Sequence, residues 1–572
     1  MRLKVSRSKN AASLYVTKTV YENKKQRTII VEKLGTEKEL REKLHGQDPY
    51  EWAKNYIQQL NEQEKWKQRT VLVPFSQTKQ IEKDQQFSFN GGYLFLQQIY
   101  YHLGLHKICK MISDRHDFDY DLNEILSRLI YSRILFPSSK LETAQISKKF
   151  LEQPTFQVHQ IYRALSVLAE ESEFIQQMLY QNSLHYTNRK TGVIYYDCTN
   201  YFFEIEEPDM DGDRKYGKSK ENRPNPIVQM GLFMDGDGIP LAFEINPGNT
   251  NEQITLKPLE QKLLDDFGMS KFVVCTDAGL ASTSNRKFND QGERAFITTQ
   301  SLKILKQFLK EWALDETGWH LPEQDKVYNL SKLDKKEDYH KVFYKERWIN
   351  ENGLEQKLIV TFSLKYKEYQ KKIRDGQVER AEKAIASNTS KLKKKNANDF
   401  RRFIRQQNCT DDGEVAENKF YSIDNERIAE EEQYDGFYAV CTNLMDDAPA
   451  VVRINHRRWE IEECFRIMKS EFKARPVYLQ RTDRIKAHFM TCFIALMLYR
   501  FLEKKLEENY TCTQLLKTLE EMNFYQVPNE GYIPTYTRTD VTDALHEAFG
   551  FRTDYQIVSH VQMKKIFKQT KK

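Results

Sequence analysis

The apolar and polar positions between residues 193 and 300 follow a pattern of strands and helices. VIYYDCTNYFFEI, which starts at residue 193, is almost continuously apolar, as in a strand that is covered on both faces. IVQMGLFM and IPLAFEIN flank the turn DGDG and predict a hairpin. Two helical segments then alternate with the short strands KFVVCTD and RAFITTQ. Three closely connected strands followed by alternating helices and strands predict an α/β fold with a mixed sheet.

Other segments have periods of their own. LYVTKTVYENKKQRTIIVEKLG, residues 14–35, alternates on both sides of ENKK and predicts a β-hairpin. Residues 90–182 repeat apolar side chains at helical spacing and predict a small all-helical domain. FMTCFIALML, residues 489–498, is too short to span a bilayer and predicts a buried core helix. RWEIEECFRIMKSEF, residues 458–472, predicts the next helix over the sheet, so the intervening residues are interpreted as an inserted subdomain.

These patterns, with a length of 572 residues, predict several domains. The predicted divisions are 1–85, a β-hairpin and charged helical region; 86–190, a helical domain and candidate for DNA binding; 191–300, the first part of the α/β core; 301–435, a partly β insertion with a basic helical stretch; 436–510, the second part of the core; and 511–572, a C-terminal region and candidate for dimerisation.

Charge and cysteine content narrow the class of protein. The net charge is only +6, but residues 365–405 hold 14 Lys and Arg against 5 acids, while residues 411–435 hold 10 acids against 2 Lys and Arg. The basic stretch is either a phosphate-binding surface or a solvated helical arm. The eight cysteines form no CxxC pair, which fits free thiols in a reducing compartment and argues against a zinc module. No apolar segment follows the basic N-terminus, so neither a signal peptide nor a membrane partner is expected.

Three carboxylates are candidates for a metal site. Asp197 lies inside the first apolar strand, where an acid needs a partner or a metal, and Asp277 follows a neighbouring strand. Glu462 lies on the helix over the sheet, at about 40° from Arg458 and about 20° from Lys469 around the axis. Three oxygen ligands suit Mg²⁺ or Mn²⁺. The alternative is that each acid is structural, with Arg458 and Glu462 in a plain helical salt bridge.

The ordered motifs resemble those of DDE transposases of bacterial insertion sequences. Arg458, Glu462 and Lys469 match the spacing of a signature in which Tyr, two residues, Arg, three residues, Glu, six residues and Lys follow one another. The Tyr position falls on Asn455, so no tyrosine role transfers to it. YYDCTNYFFE is similar to the first-Asp strand of these enzymes, and PGNTNE with VVCTDAGLAS to the second-Asp region.

The resemblance implies a ribonuclease H-like core interrupted by an insertion, in which Asp197, Asp277 and Glu462 hold two Mg²⁺ ions, with Mn²⁺ as an alternative. It implies cleavage at transposon ends, in this group commonly through a DNA hairpin, and strand transfer into target DNA. Arg458 and Lys469 would hold terminal phosphates. The partners implied are the terminal inverted repeats, target DNA and a second copy of the chain on DNA, in the nucleoid of a bacterial cytoplasm.

Two other functions stay open at this point. One is a metal nuclease of the same fold that only hydrolyses, and the other is a sequence-specific DNA-binding protein with an inactive core. The presence of all three acids argues against the inactive protein. The basic loop after the first strand, with Lys218 and Arg223 as the expected DNA contacts and Lys215 and Lys220 beside them, is either a DNA contact or an ordinary exposed loop. Glu460 points about 160° away from Glu462 on the helix and is expected to be solvated or paired elsewhere.

Overall fold

The structure is a computed structural model of the chain. It describes residues 1–8, 11–22, 25–44, 47–67, 70–73, 75–387, 398–409 and 415–572. The chain divides into two compact units, one of residues 1–85 with 527–530 and the other of residues 86–526 with 531–572.

The first unit contains a three-stranded antiparallel sheet followed by two helices. Its elements are β1 (Arg2–Arg7), β2 (Ala12–Glu22), β3 (Lys25–Thr36), α1 (Glu37–Lys43) and α2 (Pro49–Lys67). The sequence predicted two strands here, and the structure adds β1 on the free edge of β2. Thr36 begins α1 with a capping box, because its hydroxyl accepts from Glu39 N–H and the Glu39 carboxylate accepts from Thr36 N–H.

The residues from 88 to 186 are helical apart from one short strand, as their periodicity predicts. The elements are β4 (Ser88–Asn90), α3 (Tyr93–His102), α4 (Leu105–Ser113), α5 (Leu122–Leu135), α6 (Lys140–Ile146), α7 (Val158–Glu170) and α8 (Ser172–Tyr186). They belong to the same compact unit as the sheet described next. Almost every residue of α5 is buried, so this helix is covered by others on all sides.

The elements from 193 to 299 follow the order that the sequence predicts. They are β5 (Val193–Phe202), β6 (Ile227–Asp235), β7 (Pro240–Pro247), α9 (Glu252–Asp265), β8 (Val273–Thr276), α10 (Thr283–Phe288) and β9 (Ala295–Thr299). β5, β6 and β7 are antiparallel neighbours, whereas β8 lies parallel to β5 and β9 parallel to β8. The sheet is therefore mixed.

The segment interpreted as an insertion extends this sheet. The following elements are α11 (Gln307–Leu314), β10 (Phe343–Glu351), β11 (Leu354–Phe362), α12 (Leu364–Ala386), β12 (Ile404–Cys409), β13 (Val415–Ile423), α13 (Asn425–Glu432) and β14 (Phe437–Thr442). The full strand order is β10-β11-β14-β9-β8-β5-β6-β7. Two strands of the predicted insertion, β10 and β11, thus continue the core sheet, and β12 with β13 forms a separate two-stranded sheet.

Three helices after β14 complete the core. They are α14 (Ala448–His456), α15 (Trp459–Arg466), which continues as a π-helical segment from Ile467 to Glu471, and α16 (Thr482–Lys505). With 24 residues, α16 is longer than the apolar run from which it was predicted, and by length and composition it could cross a membrane. However, 94% of its most apolar window is buried inside the protein, so it is the predicted core helix.

The C-terminal residues return to the start of the helical region. Their elements are α17 (Cys512–Glu521), β15 (Asn523–Val527), β16 (Gly531–Pro534), α18 (Asp540–Phe549), β17 (Val558–Ser559) and α19 (His560–Gln569). Three of these strands join β4 in a sheet of order β17-β16-β15-β4. The two ends of the second unit are therefore held together by strand pairing.

Part of the basic stretch pairs with the acidic stretch. Arg374 on α12 is buried and donates to both carboxylate oxygens of Asp435 at 2.6 Å. Arg402 binds Glu431 at 2.9 Å. These two arginines are therefore internal ion-pair partners. Residues 388–397, which carry four further lysines of the basic stretch, lie outside the described residues.

Candidate active site

Asp197 and Asp277 are brought together by the parallel pairing of β5 and β8. Val193 lies opposite Val273 and Tyr195 opposite Cys275. Two residues further along, the same register places Asp197 opposite Asp277. Because side chains alternate between the two faces of a strand, both carboxylates lie on the same face as the Tyr195 and Cys275 side chains. The pairing of two strands, and not proximity in the chain, creates this acidic pair.

The pKa of Asp197 is shifted by burial and by the charges of its neighbours. Burial raises the pKa of its carboxyl to about 6; the Lys220 ammonium opposes the shift, and the negative charge of Asp277 adds to it. One carboxylate oxygen also accepts a hydrogen bond from Cys198 N–H at 2.7 Å. A partly buried carboxylate beside a second one favours a bound cation, which would relieve both the burial and the repulsion.

Asp277 is oriented by the turn that follows β8. Its carboxylate caps a 3₁₀ turn, Ala278–Leu280, by accepting from Leu280 N–H at 3.0 Å. A Cβ atom on Gly279 would lie 3.3 Å from the nearer carboxylate oxygen, closer than most Cβ contacts. The turn therefore leaves room beside the carboxylate because residue 279 has no side chain.

Two lysines flank the strand that carries Asp197. Lys220 donates to Cys198 O and lies 3.3 Å from Glu252. Although burial lowers it, the pKa of Lys220 is raised on balance by Asp197 and Glu252. Lys469, on the π-helical segment, donates to Thr199 Oγ1 at 2.5 Å. Burial and the nearby Lys220 charge lower the pKa of Lys469 to about 8, even though a Glu221 carboxylate oxygen lies 3.9 Å from its ammonium.

Glu462 is paired with Arg458, whose charge also acts on the site of the two aspartates. The guanidinium lies 3.6 Å from a Glu462 carboxylate oxygen, and its charge also acts on Asp197 and on the Cys275 thiol. The Arg458 side chain is mostly buried, whereas that of Glu462 is 63% exposed. Within the described residues, no group of three or more Asp, Glu, His or Cys side chains is close enough to hold a metal ion. The structure thus brings Asp197 and Asp277 together and leaves Glu462 paired with Arg458. Its assignment as a ligand stays a prediction.

Asn455, at the signature position of the tyrosine, is hydrogen-bonded to a tyrosine from another element. Asn455 is buried, donates to Tyr438 Oη at 2.7 Å and accepts from Cys275 Sγ at 3.6 Å. Tyr438, on β14, also lies 2.8 Å from Thr299 Oγ1. Tyr438 is not among the residues that the sequence predicts for the site, because it comes from a strand that only the tertiary structure brings beside β9.

A cleft of about 510 Å³ opens beside the aspartates. It is lined by the basic loop at residues 217–220, by residues 248–253 and by Gly279, next to Asp277. Every residue that lines it is a glycine or has a polar or charged side chain, which suits a polar substrate better than an apolar one. The basic loop predicted from the sequence therefore borders the acidic pair.

Of the expected DNA contacts in this loop, Lys218 and Arg223 are both exposed. The Arg223 guanidinium lies 4.2 Å from the centre of the Phe202 ring and 3.8 Å from Glu221. Lys218 accepts a hydrogen bond at its carbonyl from the Asn200 amide, which ties the loop to β5. Both residues are available at the surface, and their contact with DNA stays a prediction.

Gly217 sets the distance between the basic loop and the cleft wall. A Cβ atom on Gly217 would lie 1.9 Å from Gly248 O, and one on Gly248 would lie 2.1 Å from Ile227 O. We therefore expect Gly217→Ala to push the loop outward and to weaken DNA binding about tenfold, as measured by fluorescence anisotropy with duplex DNA. Gly376→Ala, on α12 where a Cβ meets open space, is the matched control and should bind normally. Equal binding by the two variants would contradict this view of the loop.

Glu460 is paired elsewhere and buried, not solvated. It binds Arg500 at 2.9 Å and Arg457 at 3.1 Å, and its side chain is only 7% exposed. Arg500 in turn donates to Gly238 O in the turn between β6 and β7. This network anchors the helix of Arg458 and Glu462 to the sheet.

Comparison with known protein families identifies the family of the chain. The family model for the transposase DDE domain matches residues 202–498, just over half of the 572 residues. The chain belongs to the DDE transposase family. In this DDE transposase the matched span contains Asp277, Glu462 and Lys469, while Asp197 lies on β5 just upstream of it.

Comparison with individual proteins finds only weak similarity. The cryo-EM structure of a piggyBac transposase synaptic complex with hairpin DNA is similar to this DDE transposase with a TM-score of 0.36 and 8% sequence identity. The match covers 85% of this chain and 88% of that one, but a likeness of this degree assigns no residues. No curated protein matches the sequence significantly.

Proposed function

We propose that the protein is a DNA transposase that cleaves the ends of its element and joins the freed 3′-hydroxyl to target DNA, in cut-and-paste transposition. The match to the transposase DDE domain carries this proposal. The acidic pair formed by Asp197 and Asp277, bordered by lysines, supports it, because phosphodiester chemistry needs both metal ligands and cations for the phosphates.

We propose further that the core is ribonuclease H-like. The order β7-β6-β5-β8-β9, with three antiparallel strands followed by two parallel ones, supports this assignment. In such a sheet the first acid lies on the central strand and the second at the end of its parallel neighbour, where ligands bind in α/β sheets. Asp197 on β5 and Asp277 after β8 occupy these two places.

Asp197 and Asp277 would hold the metal, Mg²⁺ or alternatively Mn²⁺, because carboxylate oxygens are the ligands that these ions prefer. Two such ions, when bound, would activate a water or a 3′-hydroxyl for attack and stabilise the leaving oxygen. Glu462 is the proposed third ligand. It is 63% exposed and held by a single ion pair at 3.6 Å, so rotation of its side chain is not opposed by packing.

We propose that Arg458 exchanges Glu462 for a DNA phosphate as its partner. Its guanidinium lies 3.6 Å from a Glu462 carboxylate oxygen, and its positive charge also acts on Asp197. Moving Arg458 onto a DNA phosphate would free Glu462, and a guanidinium binds a phosphate with two parallel hydrogen bonds. Lys469, whose pKa is lowered to about 8, would regain its charge fully beside the same polyanion.

The biological setting is proposed from the sequence resemblance. It comprises a bacterial insertion sequence of the group with the Tyr-Arg-Glu-Lys signature, terminal inverted repeats and target DNA as partners, and a dimer that pairs two DNA ends in the cytoplasmic nucleoid. A DNA hairpin at the transposon end is the proposed intermediate. Terminal inverted repeats in the nucleotide sequence that flanks the gene would support this setting.

A cleavage and joining assay tests the function. The protein, Mg²⁺ and labelled duplex DNA that ends in the flanking inverted repeat are incubated with a target plasmid, and the products are separated on a denaturing gel. We expect cleavage at the repeat end, joining to the plasmid and loss of both without Mg²⁺. Cleavage without joining would replace the proposal by a hydrolytic nuclease. Specific binding without cleavage would replace it by an inactive DNA-binding protein.

A further inference from the structure

A second basic cavity, of about 310 Å³, lies between the loop that precedes α6 and residues 473–479. Its floor is formed by Arg133, Lys140 and His488, which are only 5%, 5% and 6% exposed. Lys473 and Tyr478 lie on its exposed rim. Buried cations at the bottom of an open cavity are unusual, because lysine and arginine are almost never fully buried without a partner.

The two cations of the floor lack acidic partners. Lys140 Nζ has no hydrogen-bond partner in the part of the chain that the structure describes. Arg133 donates to the carbonyls of Phe472 at 3.1 Å and Ser138 at 2.9 Å, but its Nε is left without a partner there. Neither residue forms an ion pair with a described carboxylate. Since an unpaired buried charge is strongly unfavourable, the cavity is built for an anion that arrives from outside.

The neighbouring groups leave the cavity positive. His488 carries no negative charge that could neutralise these cations. Its Nε2 lies 3.1 Å from Ala474 O, and burial together with the charges of Lys140 and Arg133 holds the pKa of its imidazole well below the usual range. Burial and the Arg133 charge lower the pKa of Lys140 to about 7. The Cys492 thiol, whose pKa is raised by burial, is neutral. At the rim, Arg475 is paired with Glu221.

The cavity is linked to the acidic pair through β5. Val477 N–H, in the cavity wall, donates to Phe202 O at 3.1 Å, at the end of the strand that carries Asp197. The five residue steps from Asp197 to Phe202 span roughly 17 Å at the usual rise of a strand. This distance corresponds to about five phosphates along one strand of B-DNA. A DNA strand that passes Asp197 can therefore reach the cavity within one helical turn.

We propose that this cavity binds a phosphate group of the DNA substrate, away from the phosphate that reacts at the aspartates. The proposal rests on the proposed function for the identity of the ligand as DNA. Arg133 supplies a positive charge and a planar donor face, and Lys140 supplies a second full charge once a bound anion raises its lowered pKa again, which together suit a phosphate. Tyr162 and Tyr478, on the wall and rim, offer flat surfaces for the adjoining sugar and base.

Lys140→Met tests the site without disturbing the fold. Methionine keeps most of the length of the lysine stem, and replacing a buried charge by an apolar group is commonly neutral or stabilising. Lys565→Met, on the exposed surface of α19 and outside this cavity, is the matched control. Inorganic phosphate is titrated into the full-length wild-type protein and both variants by calorimetry at constant ionic strength. We expect at least tenfold weaker phosphate binding by Lys140→Met, and less than threefold weaker binding by Lys565→Met.

A second arm identifies the source of the phosphate. The dissociation constant for duplex DNA with the element's end is measured over a range of salt concentrations. We expect the slope of log affinity against log salt to fall by about 0.9 in Lys140→Met, as for the loss of one phosphate contact. An unchanged slope together with lost phosphate binding would overturn the assignment to DNA and leave a free-phosphate site. Phosphate binding equal in Lys140→Met and wild type would overturn the site itself.

The two proposals fail separately. Phosphate titration needs neither metal nor cleavage, so a wild-type protein that does not cut DNA but loses phosphate binding in Lys140→Met would refute the transposase activity and retain the cavity as an anion site. A protein that cleaves and joins DNA but binds inorganic phosphate no better than chloride would retain the activity and refute the cavity.

Discussion

Asp197→Asn is expected to abolish DNA cleavage and, at the same time, to stabilise the metal-free protein. Loss of a proposed metal ligand should lower the cleavage rate by on the order of 10³-fold or more, because the amide carries no charge to hold the ion. The increase in stability follows from the pKa of Asp197, which burial raises to about 6. A carboxylate in such a place weakens the fold whenever it is ionised.

The raised pKa of Asp197 determines in which direction the stability of the protein changes with pH. The folded protein binds the Asp197 proton more tightly than the unfolded chain, whose pKa is near the ordinary value of 3.8. Stability from this group is therefore present at low pH and is lost as pH rises from about 4 through 6. Asn lacks the effect, so at pH 7 we expect Asp197→Asn to be more stable by about 1–3 kcal/mol. The difference should vanish near pH 4.

Thermal unfolding of the metal-free protein between pH 4 and 8, with the cleavage assay in parallel, measures both effects. Asp237→Asn, in the turn between β6 and β7, is a control acid outside the site. It should cleave normally and show no stabilisation. Cleavage by Asp197→Asn within tenfold of wild type, or lower stability at pH 7, would contradict the role given to this residue.

Arg500→Met is expected to destabilise the fold by about 3–5 kcal/mol, because it leaves buried carboxylates without their central cation. Arg500 is 3% exposed and binds Glu460 at 2.9 Å, Glu503 at 2.5 Å and Gly238 O at 3.0 Å. For a unit of this size the thermal midpoint should fall by roughly 3–5 °C. Since Glu460 lies on the helix of Arg458 and Glu462, cleavage should fall as well.

Arg466→Met provides the matched control on that helix. Arg466 is 47% exposed and binds Glu463 at 2.6 Å, so its removal should change stability by less than about 1 kcal/mol. Adding Glu460→Gln to Arg500→Met should restore part of the lost stability, because one of the unpaired charges is then removed. Equal thermal midpoints for Arg466→Met and Arg500→Met would show that the buried network does not hold the helix.

The order of elements around the acids could be predicted, because strands and helices over residues 193–299 are specified by local periodicity. The neighbourhood of Asp197 and Asp277 could be expected for the same reason: a helix between two strands of one sheet favours parallel neighbours. The environment of Glu462 could not be expected from the sequence. A helical wheel gives the angle between Glu460 and Glu462, but not that α16 places Arg500 beside the former.

The sequence by itself determined the fold class, the order of the core elements and the family-like spacing of Arg458, Glu462 and Lys469, since all three depend on residues close together in the chain. Tertiary structure alone decided which charges meet. It brought the Arg458 charge close enough to act on Asp197, joined β10 and β11 to the core sheet, and buried Lys140 beside Arg133 without an acid among the described residues. Such contacts join residues far apart in the chain, and long-range packing, which no local pattern encodes, selects them.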